Sequence, residues 1–152
     1  MTLKLPNMTN KSSVIFYKNG SKKPMTMPYF EEGVSAGFPS PAENFMEGEI
    51  DLNNILITNP TSTYYVRVFG DSMKDIGIMS GDLLIVDRSL EITNNCIVVA
   101  YIDGEFTVKR IKKSKDKIFL IAENEMYRDI EITKEMKFNL FGVVIHAIHH
   151  FV

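Results

Sequence analysis

The sequence contains few of the features that mark exported, membrane-spanning or disulfide-bonded proteins. Its single cysteine, Cys96, has no partner for an intramolecular disulfide. No apolar run approaches the roughly 20 residues that a membrane helix needs. Residues 1–11 lack the apolar segment of a secretory signal. We therefore expect a protein of the reducing cytoplasm that does not associate with a membrane.

Motifs for metal and nucleotide binding are also missing. The three histidines, His146, His149 and His150, lie near the end of the chain without an HExxH motif or a cysteine pair. On a strand, His146 and His150 would share one face, and a polar fringe is a simpler interpretation than a metal site. No Walker loop, GxGxxG or GxSxG motif occurs. The sequence predicts no metal and no cofactor.

Charge is distributed unevenly along the chain. The net charge of −2 favours neither nucleic acid nor a membrane surface as a partner. Residues 1–36 nevertheless carry +3, whereas residues 37–152 carry −5. Prolines and glycines interrupt the first segment, so it is predicted to be an extended, flexible arm. Within it, the apolar residues 14–17 could pair as one strand or dock on a partner.

Residues 37–152 have the pattern of a mostly β domain with minor helix. Ser40, Pro41 and Glu43 together resemble a helix start, and residues 52–56 have helical spacing. Asp103-Gly104 between two β-rich runs predicts a tight hairpin. The alternating or apolar runs predicted as strands are residues 64–69, 83–86, 97–102, 105–111, 118–122 and 138–148.

Lys109 lies inside one of the predicted strands, five residues after Gly104. Burial there would remove solvation from the ammonium group and lower its pKa, which would make Lys109 a candidate general base. An exposed strand lysine is the simpler interpretation of composition alone. The dense basic run 109–117 is better explained as a solvated hairpin tip than as a phosphate-binding site.

Ser72 is the second candidate for chemistry. It follows a predicted strand and Gly70, which permits a sharp turn. A serine just past such a turn can expose its hydroxyl beside backbone N–H groups that hold an oxyanion. An ordinary serine turn is the more common outcome of the same pattern.

Three ordered segments together resemble the self-cleaving LexA/UmuD family: GDSM at 70–73, GDLLIVD at 81–87 and DGEFTVKR at 103–110. In that family, the serine is the nucleophile and the hairpin lysine is its base. The resemblance therefore assigns these roles to Ser72 and Lys109. The family also cuts an Ala-Gly or Cys-Gly bond of its own chain, which Ala36-Gly37 matches. With FGVVIH at 141–146, the resemblance covers about residues 35–148.

The segment before Ala36-Gly37 resembles the short-armed UmuD branch of the family, because no helix-turn-helix fits in 36 residues. The resemblance implies a LexA/UmuD-type peptidase domain of short twisted sheets at 37–152 and an arm at 1–36 that self-cleavage removes. It also implies a homodimer whose cleavage is stimulated by RecA filaments on single-stranded DNA. The processed dimer would join a UmuC-type Y-family polymerase in error-prone translesion synthesis during the SOS response, with no sequence-specific DNA binding.

The chemistry implied by the resemblance is an attack of Ser72 on the carbonyl carbon of Ala36, with Lys109 accepting the serine proton. The backbone N–H groups of Asp71 and Ser72 would hold the oxyanion, and the Gly37 amine would leave. Three other interpretations stay open. They are a non-cleaving β-domain scaffold for polymerase partners, a LexA-like repressor without a helix-turn-helix, and a signal peptidase, which would need a membrane anchor.

Overall fold

A computed structural model of the protein describes residues 24–29, 36–37 and 48–152, together with the backbone of residues 15–18. Most of the described chain is β-structure, as the sequence predicts. The strands are β1 (Ile15–Lys18), β2 (Met27–Tyr29), β3 (Gly48–Ile50), β4 (Thr63–Arg67), β5 (Leu83–Asp87), β6 (Ile97–Ile102), β7 (Glu105–Ser114), β8 (Lys117–Ile121), β9 (Ile130–Ile132) and β10 (Phe138–Ile148).

Eight of the described strands form one antiparallel sheet in the order β1-β4-β5-β10-β6-β7-β8-β9. β2 and β3 form a separate antiparallel pair, in which Tyr29 stands opposite Gly48. The first strand of the predicted arm is therefore an edge strand of the main sheet. The division of the chain into an arm at 1–36 and a domain at 37–152 stays a prediction.

The central strand β6 is buried on both faces. Val99 packs with Val66, Leu84 and Val108 on one side of the sheet. On the other side, the neighbouring Val98 packs in a second cluster, whose buried members also include Ala100, Ile111 and Leu120. Successive strand side chains point to opposite faces, so a continuous apolar run fills both clusters. The buried sheet gives β7, which carries Lys109, a rigid support.

The predicted hairpin between β6 and β7 is confirmed. Asp103 and Gly104 have φ values of 48° and 99°, so both central residues have the positive φ of a type I′ turn. Ile102 then stands opposite Glu105, and the pairing continues to Val98 opposite Lys109. The turn thereby sets the register that brings Lys109 next to the buried strand β6.

The short helix predicted at 52–56 is confirmed as α1 (Leu52–Leu56), and the Asp51 side chain caps it by accepting a hydrogen bond from the Asn53 N–H. Within the described ranges, no helix is long and apolar enough to cross a membrane. The helix start predicted at 40–43 lies outside the described residues. The strand predicted at 64–69 ends two residues early, at Arg67, because the chain turns into the loop that carries Ser72.

Candidate active site

Ser72 lies in the loop that connects β4 to β5. The two ends of this loop are joined by hydrogen bonds from the Val68 N–H to Asp82 O (3.0 Å) and from the Gly81 N–H to Val68 O (2.7 Å). Gly70 has a φ of 100°, a conformation that other residues rarely adopt. Met73, the residue after Ser72, is 2% exposed in the core. The loop therefore holds the Ser72 backbone between a glycine turn and a buried anchor.

Lys109 lies on β7 and faces Ser72. Its Nζ atom donates hydrogen bonds to Ser72 Oγ at 2.7 Å, Thr107 Oγ1 at 3.0 Å and Val108 O at 2.9 Å. Thr107 shares a strand face with Lys109 because the two are separated by two positions. The structure thus brings together the serine and the lysine that the sequence analysis singled out.

The Lys109 side chain is buried, with the residue only 6% exposed. Burial penalises the charged ammonium form and lowers the pKa of Lys109 from 10.5 to about 8. At pH 7 roughly a tenth of such an amine is neutral, compared with less than a thousandth for an ordinary lysine. Of the two interpretations open from the sequence, the structure supports the buried lysine over the exposed one.

The loop between β8 and β9 holds the Ser72 turn from the other side. The Glu123 N–H donates to Ser72 O at 2.8 Å, and the Asp75 N–H donates to Glu123 O at 3.0 Å. Asn124, which is 4% exposed, donates from Nδ2 to Asp71 O at 3.0 Å. These contacts fix the peptide groups next to Ser72 in position.

Tyr127 adds a contact to the Asp71 side chain. Its hydroxyl group donates a short hydrogen bond to the Asp71 carboxylate. This hydrogen bond holds the pKa of Asp71 below its ordinary value and raises the pKa of Tyr127. Sequence analysis missed both Asn124 and Tyr127. The mostly polar residues at 123–127 follow a predicted strand, but no motif connects them to Ser72 some 50 residues earlier.

The N–H groups of Asp71 and Ser72, predicted to hold an oxyanion, lie in this fixed turn. Within the described residues, no backbone carbonyl accepts a hydrogen bond from either group, but the Asp71 N–H interacts with its own carboxylate and with the Tyr127 hydroxyl. Their assignment to an oxyanion site stays a prediction.

A cavity of about 90 Å³ opens beside Ser72 and Lys109, with Val68, Phe106 and Tyr127 among its other lining residues. Its size suits a small side chain. A larger cavity of about 310 Å³ shares Phe106 and Thr107 with it, and Ile102 and Ile130 contribute apolar surface there.

Ala36 and Gly37, the predicted cleavage residues, are both exposed and form a bend. Neither lines the cavity beside Ser72. They lie in the connection between β2 and β3, and the pairing of Tyr29 with Gly48 holds the two ends of this connection together. The structure thus brings Ser72 and Lys109 together but leaves the candidate bond outside the cavity.

One of the three histidines, His149, makes a contact away from this site. Nδ1 of His149 lies 2.6 Å from Oδ1 of Asp82, a buried carboxylate that also accepts the Met79 N–H at 2.8 Å. Among the residues that the structure describes, no group of three or more His, Cys, Asp or Glu side chains could hold a metal ion.

Comparison with known proteins identifies the family of the chain. Residues 28–145 match the Peptidase S24-like family. Protein SamA of Salmonella typhimurium is 45% identical over 124 residues, which are 82% of this chain and 86% of the relative. Protein ImpA of Escherichia coli is 40% identical over 80% of this chain and 83% of the relative. Protein MucA of Escherichia coli is 44% identical over 64% of this chain and 66% of the relative.

The chain therefore belongs to the Peptidase S24-like family, which confirms its resemblance to the LexA/UmuD-type proteins, among them the UmuD-like proteins of SOS mutagenesis.

Proposed function

We propose that the protein is a serine peptidase that cuts its own Ala36-Gly37 bond, with Ser72 as nucleophile and Lys109 as general base. The observation that supports this most directly is the 2.7 Å contact between Lys109 Nζ and Ser72 Oγ. Serine attacks amides only when a base accepts its proton, and a buried lysine with a pKa of about 8 supplies a neutral amine. Membership of a peptidase family supports the same class of reaction.

In the proposed reaction, Ser72 Oγ attacks the carbonyl carbon of Ala36 while its proton passes to Lys109 Nζ. The N–H groups of Asp71 and Ser72 stabilise the resulting oxyanion. As the C–N bond breaks, Lys109 returns the proton to the Gly37 amine, and an ester joins Ala36 to Ser72. Water then hydrolyses the ester, which frees the Ala36 carboxylate and restores the serine hydroxyl.

Docking of the cleavage segment is the proposed control point. Because the substrate is part of the same chain or of a dimer mate, its local concentration is high and position alone limits the rate. The exposed Ala36 and Gly37 of this structure represent the undocked state. A RecA filament on single-stranded DNA would accelerate cleavage by favouring the docked state.

We propose further that the processed protein acts as a homodimer in the SOS response. Loss of residues 1–36 would remove a segment of charge +3 from a domain of charge −5. The resulting domain would serve a UmuC-type Y-family polymerase as an accessory subunit in translesion synthesis. The likeness to SamA, ImpA and MucA over most of the chain supports this assignment.

Intact-mass spectrometry of the purified protein tests the peptidase. The chain is incubated alone at pH 7 and pH 10, and at pH 7 with RecA filaments, beside Ser72→Ala. We expect a 116-residue product that begins at Gly37, formed faster at high pH and with filaments, and absent from the variant. Cleavage by Ser72→Ala would contradict the assignment. No product from the natural chain would instead favour the non-cleaving scaffold.

A further inference from the structure

The edge of the main sheet is covered by a strand that precedes the proposed cleavage bond. β1 pairs antiparallel with β4, and Ile15, Phe16, Tyr17 and Lys18 stand opposite Arg67, Val66, Tyr65 and Tyr64 in that order. The other side of β4 is paired with β5. The sheet order places β1 at the end of the sheet, next to β4. A cut between Ala36 and Gly37 would disconnect this edge strand from the rest of the sheet.

Within the described residues, the disconnected segment would then be held by short strand pairings and by the hydrogen bond from Thr26 Oγ1 to Glu49 Oε2 at 2.8 Å. In the described residues, the segment before Ala36 pairs through the four residues of β1 and the three residues of β2. Pairs of this length are marginally stable in water. While the chain is intact, the linker gives β1 an effective concentration of the order of millimolar. After a cut, that advantage is lost and β1 dissociates at micromolar protein concentrations.

Departure of β1 would leave β4 as a new edge strand. Its outward N–H and C=O groups would lose their partners, and such an edge binds another extended strand readily. β4 is held rigidly for this role, because Val66 is fully buried in the core and the strand pairs with β5 along its whole length. A rigid, unpaired edge is the acceptor in recognition by strand addition.

We propose that the β4 edge is a latent docking site that self-cleavage opens for an extended strand of a partner protein. The occupant that the structure shows defines the chemistry of its replacement. It is a strand antiparallel to β4 with aliphatic and aromatic residues followed by a lysine, as in Ile15–Lys18. A basic residue also suits the −5 charge of residues 37–152. Only the trigger rests on the proposed self-cleavage, whereas the covered edge is a feature of the fold.

The test separates the edge from the peptidase. A recognition sequence for a site-specific protease is inserted after Gly37 in the full-length Ser72→Ala chain, so that the cut does not depend on self-cleavage. Hydrogen exchange of β4 amides is compared before and after the cut. We expect exchange at least roughly tenfold faster after the cut. Exchange in β9, at the far edge of the sheet, serves as the internal control and should not change.

Binding of a strand in trans completes the test. The probe is a fluorescent peptide of residues 11–21, with Phe16→Pro/Tyr17→Pro as control, because proline removes the N–H that the ladder needs. We expect binding to the cut chain with a Kd at or below about 1 mM, restored protection of β4, and no binding to the uncut chain or by the proline peptide.

Two results would overturn the proposal. One is a β4 strand whose exchange is equal before and after the cut. The other is protection that rises with protein concentration while the peptide does not bind, since this would assign the edge to a second copy of the chain. Failure of the natural chain to cut itself would overturn the proposed function alone, because the edge is tested in the protease-cut protein.

Discussion

The Nζ atom of Lys109 lies 2.7 Å from the Oγ atom of Ser72, although 37 residues separate them along the chain. Ser72 comes from the turn after β4, and Lys109 comes from the middle of β7. Hydrogen bonds to Thr107 Oγ1 and Val108 O hold the lysine amine in place. The fold thus makes a potential nucleophile and base from two residues that are unremarkable in isolation.

Replacing either residue should stop self-cleavage while preserving the fold. We expect Ser72→Ala and Lys109→Arg to reduce the cleavage rate by at least about a thousandfold, since arginine stays protonated and cannot accept the serine proton. Lys112→Ala, at an exposed position of the same strand, should cleave normally. Mass spectrometry of cleavage at pH 9 gives the rates, and circular dichroism checks the fold. Normal cleavage by Lys109→Arg would exclude the lysine as the base.

Self-cleavage should accelerate with pH as Lys109 loses its proton. Burial lowers the pKa of Lys109 to about 8, so the neutral fraction rises from roughly a tenth at pH 7 to roughly nine-tenths at pH 9. We expect an increase of about tenfold in the rate over this range and a plateau above it. Rates measured at half-unit intervals from pH 6 to pH 10.5 give the inflection. A rate that keeps rising up to pH 10.5 would indicate an ordinary lysine or hydroxide as the base.

The turns that position this site are predictable from the sequence because they are local patterns, whereas the pairing of Ser72 with Lys109 came from the family resemblance. The hairpin follows from Asp103-Gly104, and the turn before Ser72 follows from Gly70, since both rest on positive φ values. The hydrogen bonds from Asn124 and Tyr127 to Asp71 are not predictable in this way. These hydrogen bonds require the β8–β9 loop to contact the β4–β5 loop. No periodic pattern in the sequence indicates that tertiary contact. The same holds for β1, whose place at the sheet edge depends on its distant partner β4.

The hydrogen bond from Asn124 to the Asp71 carbonyl should matter for the plateau rate of self-cleavage. Asn124→Asp keeps an oxygen that can accept the Met126 N–H but loses the Nδ2 donor to Asp71 O. We expect the plateau rate to fall by roughly tenfold to a hundredfold, because the Asp71 N–H moves out of position for the oxyanion. The added carboxylate should also raise the pKa of Lys109 and move the inflection to higher pH, which the same pH profile measures.

Tyr127→Phe is the matched variant of the same loop, since it removes the hydroxyl that donates to the Asp71 carboxylate and adds no charge. We expect a smaller loss of rate than for Asn124→Asp, because the Asp71 peptide group keeps its Asn124 contact. Thermal unfolding of both variants in the Ser72→Ala background measures their stability. A rate loss that is fully explained by unfolding at the assay temperature would show that Asn124 and Tyr127 have only a structural role.

Asp87 stabilises the sheet far from the chemistry. It is 1% exposed and accepts hydrogen bonds from Asn59, Ser62 and Ser89. Burial alone would raise the pKa of Asp87, but these donors outweigh it and lower the pKa below 3.8. We expect Asp87→Asn to lower the free energy of unfolding at pH 7 by about 1–3 kcal/mol without shifting the inflection of the cleavage profile.

The pH dependence of that loss has a definite sign. A carboxylate with a lowered pKa contributes stability above its unfolded pKa, and this contribution disappears as pH falls through the folded pKa. The difference between Asp87→Asn and the parent should therefore shrink below about pH 4. Urea unfolding of both proteins in the Ser72→Ala background measures it, with the exposed turn variant Asp116→Asn as control. An undiminished difference at the lowest pH would show that the Asp87 charge is not the cause.

The buried amine should cost stability near neutral pH, because the fold binds its proton less tightly than the unfolded chain does. Between pH 8 and 10.5 the unfolded chain holds the Lys109 proton while the folded chain releases it, so stability rises with pH across this window. Lys109→Met removes the buried charge at similar side-chain length. We expect the variant to be more stable than the parent at pH 7 by on the order of 1 kcal/mol, after the lost hydrogen bonds are counted.

The gain should shrink as the pH rises from 8 towards 10.5, because the folded parent has already released the Lys109 proton that the unfolded chain still holds. Urea unfolding from pH 7 to pH 10.5 in the Ser72→Ala background measures the two curves, and Lys113→Met, an exposed position of the same strand, is the control. Parallel curves for Lys109→Met and its parent would mean that Lys109 titrates alike in the folded and unfolded chain. A base with that ordinary pKa would be almost wholly protonated at pH 7, and cleavage there would then depend on docking of the segment to neutralise it.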